Sequence, residues 1–380
     1  MKFFNFHLMP YRHADLDAIE RNGSAWVTFS NENYDPGKGA ELYHEYLDQM
    51  ELADRLGFDG VCLNEHHQTA YGMMPIPGVL AGALARSVKR GKLAILGRAL
   101  PLLSNPLMVA EEYAMLDNLT RGRFIAGFVR GIGAEYHAMG INPTLSQDRF
   151  AEAHDLIVRA WTEPGPFEFK SKHYHFLYVN VWPRPYQEPH PPIWIPSQGS
   201  RETIEFAAHP VHKYTYLQTF SPIKTVARYL QMYREVAGSF GYESGPSQLG
   251  WSVPVYVGES DASAVEEARP HFEAFRNVFL RMPFEMLLPP GYTSRESMKG
   301  IAAAKAQLTS FIDVKRAMEQ GMFVCGSART VCETLAAHAR QLGFGHLLTM
   351  LQFGTLPADL TRRSMERFAE NVMPQLKGRS

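Results

Sequence analysis

The sequence predicts an α/β fold, a single (β/α)8 TIM barrel over residues 1–380 with an insertion late in the chain. Three observations carry this expectation. Short apolar runs alternate with amphipathic helical patterns, the signature of βα units around a parallel sheet. Eight such runs follow one another in order. The 380 residues also exceed the about 250 that a minimal barrel needs, which leaves room for excursions.

The first strand is expected at Lys2–Leu8, followed by a polar, irregular stretch. A helix is expected from Ala40 to Leu56, because Tyr43, Tyr46, Leu47, Met50 and Ala53 recur at helical spacing and Gly57 supplies a stop. Strand two is Gly60–Asn64 and strand three Lys92–Gly97. Asn105 and Pro106 then read as the N-cap and first residue of a helix that buries Val109, Tyr113 and Leu116. Strand four is Arg123–Val129, followed by a helix over Ser146–Trp161. Residues 163–192 are Pro-rich and aromatic and read as an excursion holding a small hairpin. Strand five is Pro192–Pro196, with a helix from near Ser200; strand six is Lys213–Leu217, with a long helix over 222–238; strand seven is Leu249–Gly258. Regularity is expected to weaken after Ala262, and 281–312 reads as an inserted lid. Phe323–Gly326 resumes the pattern, strand eight is His346–Gly354, and a last helix buries Met365, Phe368, Ala369 and Val372.

Composition narrows the function. Apolar residues make up 45% and charged residues 20%, with a net charge of -1, so nothing drives binding to a phosphate backbone or a membrane surface. No apolar run is long enough to span a membrane. The three cysteines, Cys62, Cys325 and Cys332, are a poor disulfide framework, and a cytoplasmic setting is the simpler reading. The sequence holds no Walker A motif, no GxSxG elbow, and no HExxH or CxxC metal element, so no metal is expected.

In such a barrel chemistry collects where strands end. Strand two ends in Asn64-Glu65-His66-His67, which offers a histidine suited to proton transfer. The bland reading is a pair of hydrogen-bonded histidines capping the strand. Strand four ends in Val129-Arg130-Gly131-Ile132-Gly133-Ala134-Glu135-Tyr136. Its glycines let backbone approach a ligand, and Arg130 can pair with a phosphate. It is not a dinucleotide fingerprint, since Tyr136 stands where the third glycine would be. Strand five ends in Ser197-Gln198-Gly199-Ser200-Arg201-Glu202-Thr203, a hydroxyl-rich turn opening a helix and therefore a candidate anion site, or an ordinary Ser N-cap.

These clusters, in this order, resemble the bacterial luciferase-like flavin-dependent monooxygenases. GFDGVCLNEHHQTAYG, LPLLSNPLMVAEEYAMLDNLTRGRFIAGFVRG, PPIWIPSQGSRETIEFAA, VCGSARTVCETL and LLTMLQFGTLPADLTRRSMERFAENVMPQL each resemble a family segment. The resemblance implies reduced FMN as cosubstrate, supplied by a separate flavin reductase, since no NAD(P) fingerprint is present. It implies a flavin C4a-(hydro)peroxide that inserts one oxygen atom from O2 into an apolar small organic substrate, and a homodimer. His66 matches the family's active-site histidine, and Arg130, with Tyr136 beside it, an arginine on the FMN phosphate. Gly199, Ser200 and Thr203 match the phosphate turn. Asn64 and Arg98-Ala99-Leu100 would flank the isoalloxazine, where the family often has a non-proline cis peptide. Val129 stands where luciferase proper has a reactive cysteine, which argues against light emission. Two other readings are a deazaflavin (F420)-dependent dehydrogenase or reductase on the same barrel and a non-catalytic flavin-binding protein. A barrel hydrolase using Glu65 would need a paired carboxylate that the sequence does not place.

Overall fold

The computed structural model describes residues 1–292 and 311–377. Eleven strands are described: β1 Lys2–Phe6, β2 Gly60–Leu63, β3 Lys92–Ala99, β4 Phe124–Val129, β5 Phe167–Lys170, β6 His175–Val179, β7 Ile193–Ser197, β8 Thr215–Thr219, β9 Leu249–Gly258, β10 Val324–Ser327 and β11 His346–Met350. Eight of them, β1, β2, β3, β4, β7, β8, β9 and β11, pair in parallel and close into a barrel, with β11 lying between β9 and β1. They correspond to the eight expected strands, with ends displaced by a few residues.

Strand alternation builds two apolar layers. Phe4 of β1 points inward and meets Trp194 of β7 edge-on at 5.0 Å across the barrel. Its neighbour Phe3 points outward onto Phe368 at 6.0 Å, and Phe368 stacks on Phe58 at 5.8 Å. The expected helix of the first βα unit is Pro36–Arg55; it starts earlier than its apolar spacing suggests because Asp35 caps Gly37 and Lys38 and Pro36 occupies the first turn. The excursion at 163–192 holds the antiparallel hairpin β5–β6.

Four features differ from the expectation. The helix Pro77–Ser87, between β2 and β3, was not foreseen: Pro77 opens it, but Gly78 and Gly82 weaken its helical signal. The helix after β3 begins at Leu107 with Pro106 at the cap, one residue late, because Asn105 Oδ1 accepts from the Leu107 amide at 3.1 Å. Regularity does not weaken after Ala262. Ser260 caps a helix over Asp261–Ala274, which tolerates Pro270 in its interior and runs into a π-helical turn at Phe275–Phe279. Finally, β10 is a ninth parallel strand that pairs only with the second half of β9, Val255–Gly258, outside the closed barrel. Of the insertion expected at 281–312, residues 293–310 lie outside the described residues. Its described part includes the short helix Phe284–Leu287, which packs against the helix Gly133–Ala138; there Pro289 and the Met286 and Leu287 carbonyls crowd Gly133, where a Cβ would not fit.

Candidate active site

A cavity of about 1200 Å3, counted out to its open mouth, lies at the C-terminal ends of the strands. The turns after β2, β4 and β7 all reach it: Asn64 and His66 from the first, Arg130 from the second, and Gly199, Ser200 and Thr203 from the third line the same space. The expected convergence of these six residues is therefore a feature of the structure.

His66 is held from behind. Its Nδ1 lies 3.0 Å from Glu135 Oε1, and the His66 side chain is 14% exposed against 1% for Glu135. Glu135 sits in the first turn of the helix Gly133–Ala138, and its Oε2 accepts from the Ile132 amide at 2.8 Å. Trp26 and Tyr71 meet the imidazole edge-on, each at 5.1 Å. The ring is thus fixed on three sides, with the fourth open to the cavity.

Asn64 carries the clearest mark of a ligand-binding role. It is 4% exposed, it lines the cavity, and neither its Nδ2 nor its Oδ1 has a hydrogen-bond partner among the described residues. A buried amide left unsatisfied costs about 1–3 kcal/mol, so this side chain fits a cavity whose occupant offers both a donor and an acceptor.

The opposite wall suits an anion. Gly199 takes φ +98°, a left-handed conformation that glycine adopts at little cost, and its amide donates to Ser197 Oγ at 3.0 Å. Ser200 Oγ accepts from the Thr203 amide at 3.1 Å and caps the helix Arg201–Ala208, whose positive dipole end faces the cavity. Arg130 approaches from β4. Its guanidinium donates to the Tyr292 carbonyl at 3.0 Å and lies 4.8 Å from the centre of the Tyr292 ring.

Four expected site residues stand behind the wall rather than in it. Tyr136 is fully buried; its hydroxyl donates to the Arg130 carbonyl, and its ring packs with Ala99, Leu102 and Tyr292. It therefore supports Arg130 from the rear. Arg98, Ala99 and Leu100 do not reach the cavity, and the cause is a break in the β3–β4 register between Ile95 and Arg98. Such irregularities re-aim side chains. Leu96 and Gly97, joined by a non-proline cis peptide bond, form the wall instead. Arg98 turns to Glu65 Oε2 at 2.6 Å and to Glu112 at 3.5 Å. Burial works against the Arg98 charge, but Glu65 and Glu112 outweigh it and raise its pKa. His67 shares this network through Glu65 Oε1 at 3.1 Å; burial pulls its pKa down, while Glu65 and Glu135 more than restore it, so the net shift is upward.

The remaining wall is apolar: Phe6, Tyr71, Phe220, Leu280, Leu287 and Leu288. Sequence reasoning offered the aromatic and Met residues near strand ends, Phe6, Met9, Tyr71, Met73 and Met74, as wall residues; Phe6 and Tyr71 line the cavity, Met9, Met73 and Met74 do not, and the other four named here were missed. It also missed Glu135, whose signal was present as the one carboxylate of the Val129–Tyr136 segment. Among the described residues no group of three or more His, Cys, Asp or Glu could hold a metal.

The profile of the luciferase-like monooxygenases matches residues 24–346. The 4-hydroxyprotoasukamycin monooxygenase of Streptomyces nodosus subsp. asukaensis is 25% identical over 346 residues, covering 90% of this chain and 88% of that one. Among solved structures, a monooxygenase from Streptomyces bottropensis superposes with a TM-score of 0.75 at 25% identity, over 99% of this chain and 100% of that one. The oxygenating constituent of 3,6-diketocamphane monooxygenase from Pseudomonas putida, a type II Baeyer-Villiger enzyme solved with FMN, gives 0.76 at 18% identity over 98% and 99%. An F420-dependent secondary alcohol dehydrogenase shares the fold at 0.66 and 16% identity over 99% and 98%.

Proposed function

Because the chain belongs to the luciferase-like monooxygenase family, with monooxygenases among its relatives, we propose that it is the oxygenase of a two-component system that uses reduced FMN and O2 to oxygenate an apolar small organic molecule. One observation carries the reading: His66, Asn64, Arg130 and the Gly199–Thr203 turn, contributed by three separate βα connections, share one cavity. Arg130, Ser200 and Thr203 would hold the phosphate of the flavin, and Asn64 would meet its polar ring edge. Reduced flavin supplies the electrons that activate O2.

The residues of this chain then position, exclude water and handle protons. Phe6, Tyr71, Phe220, Leu280, Leu287 and Leu288 give the substrate an apolar wall and keep water from the reacting atoms. His66 holds or moves a proton at the edge of that space. A separate reductase is part of the reading because the sequence has no nicotinamide-binding fingerprint. A homodimer finds support in the exposed Met108, Met115 and Leu119 of the helix Leu107–Thr120 and in Ile76 and Val79 beside it. A cytoplasmic setting fits the three cysteines, all buried and none in a disulfide among the described residues; among the described residues no helix is long and apolar enough to cross a membrane.

Equilibrium titration with FMN, reduced FMN and F420 tests the reading. Preference for reduced FMN, with turnover that requires O2, is the expected result. Preference for F420 with turnover in the absence of O2 would assign the chain to the deazaflavin dehydrogenases instead, and binding of FMN without any turnover would make it a flavin carrier.

A further inference from the structure

The mechanism above leaves open which way His66 passes its proton, and the groups behind the ring determine it. Glu135 is buried, and its two oxygens are occupied by donors. Oε2 accepts from the Ile132 amide at 2.8 Å, and Oε1 accepts from the His67 amide at 3.3 Å while facing His66 Nδ1 at 3.0 Å. An oxygen that already accepts from a backbone N–H calls for a second donor, so Nδ1 carries the hydrogen. In a neutral imidazole the other nitrogen is then an acceptor. Nε2 has no protein partner among the described residues, and His66 lines the cavity.

We propose that Glu135 is a positioning residue that locks His66 in the Nδ1–H tautomer, so that Nε2 presents a lone pair to the cavity and the pair accepts a proton from a bound O–H group rather than supplying one. The new N–H bond forms at Nε2, the broken O–H bond leaves its electron pair on oxygen, and the positive charge on the imidazole develops beside the Glu135 carboxylate. This inference rests on the proposed oxygenase reading, which it narrows by giving His66 the role of base.

The test is 15N NMR of the full chain labelled at its histidines, at about pH 8, above the ordinary histidine pKa. The His66 signals are identified by their loss in His66→Gln, and reduced-FMN affinity is measured by anaerobic titration. The wild-type protein is expected to show the Nδ1–H tautomer. In Glu135→Gln the amide oxygen keeps the closer backbone donor, the Ile132 N–H at 2.8 Å rather than the His67 N–H at 3.3 Å, which turns the NH2 onto Nδ1 and drives the ring to the Nε2–H tautomer, while reduced-FMN affinity stays within about threefold and any turnover falls about 100-fold, the lower end of what general acid–base catalysis contributes. The wild-type spectrum needs no variant, so it decides the matter even if Glu135→Gln does not fold. An Nε2–H signal in the wild type, or an unchanged tautomer in a folded Glu135→Gln, overturns the proposal. A protein that shows the Nδ1–H tautomer but binds no flavin refutes the oxygenase reading and leaves the pair intact; one that binds reduced FMN with the Nε2–H tautomer does the reverse.

Discussion

Replacing Arg130 with alanine separates phosphate recognition from ring recognition. Arg130 and the Gly199–Thr203 turn line the same end of the cavity, and a guanidinium–phosphate contact there is charge-assisted. Such a hydrogen bond is worth about 1.5–3 kcal/mol, or roughly 10- to 150-fold in Kd. The free protein already uses the guanidinium against the Tyr292 carbonyl and ring. Any part of that contact given up on binding, about 0.5–1 kcal/mol for the cation–π component, brings the expected loss toward the lower half of the range. Arg130→Ala should therefore weaken FMN about 10- to 50-fold and leave riboflavin, which has the same ring system and no phosphate, within about threefold. Ser200→Ala should cost FMN a further few-fold, the value of a neutral hydrogen bond, and the two changes should combine non-additively because they act on one group. Fluorescence titration of both ligands against the four proteins gives the full cycle. Equal losses for FMN and riboflavin, or none for either, would refute the assignment of Arg130 to the phosphate.

Two further outcomes follow. Asn64→Leu removes two buried, unpartnered polar atoms, so it should raise the stability of the ligand-free protein by about 1 kcal/mol in denaturant melts while weakening flavin at least about tenfold; a variant that loses stability and keeps its affinity would show that Asn64 serves packing. His7 is buried and pulled down to about 4 by desolvation, only partly opposed by Gln49. Because its folded pKa lies below its unfolded value, its contribution is complete above about pH 6.5 and is lost as pH falls toward 4, at no more than about 1.4 kcal/mol per pH unit and roughly 3 kcal/mol in all. His7→Gln should flatten that part of the stability curve, and an unchanged slope between pH 6.5 and 4 would contradict it.

The fold was legible because each barrel strand is a short apolar run bounded by polar or glycine residues, and the reading survived errors of a few residues at the ends. Two of the missed helices have local causes. Gly78 and Gly82 dilute the helical pattern of Pro77–Ser87, while Pro270 and Pro283 punctuate the stretch around Asp261–Ala274 without ending the helix where the first of them stands. Site residues that depend on strand position were also legible: His66, Arg130 and Ser200 each follow the end of a strand, and closure of the barrel brings them together. Arg98 was misplaced because sequence order does not reveal which face a residue takes after a register break, as happens between Ile95 and Arg98, and Tyr136 because nothing local shows that its ring turns from the cavity onto Ala99, Leu102 and Tyr292. Glu135 was passed over for a related reason. Its partner His66 is 69 residues away, and a lone carboxylate gains meaning only when the fold brings that imidazole to it.

The account depends on one flavin bridging three βα turns, and a crystal structure of the protein soaked with FMN tests this most directly. The account predicts the phosphate between Arg130 and the Gly199–Thr203 turn, with the ring edge against Asn64 and His66. A phosphate bound away from Ser200, or a ring that leaves the Asn64 amide without a partner, would contradict it.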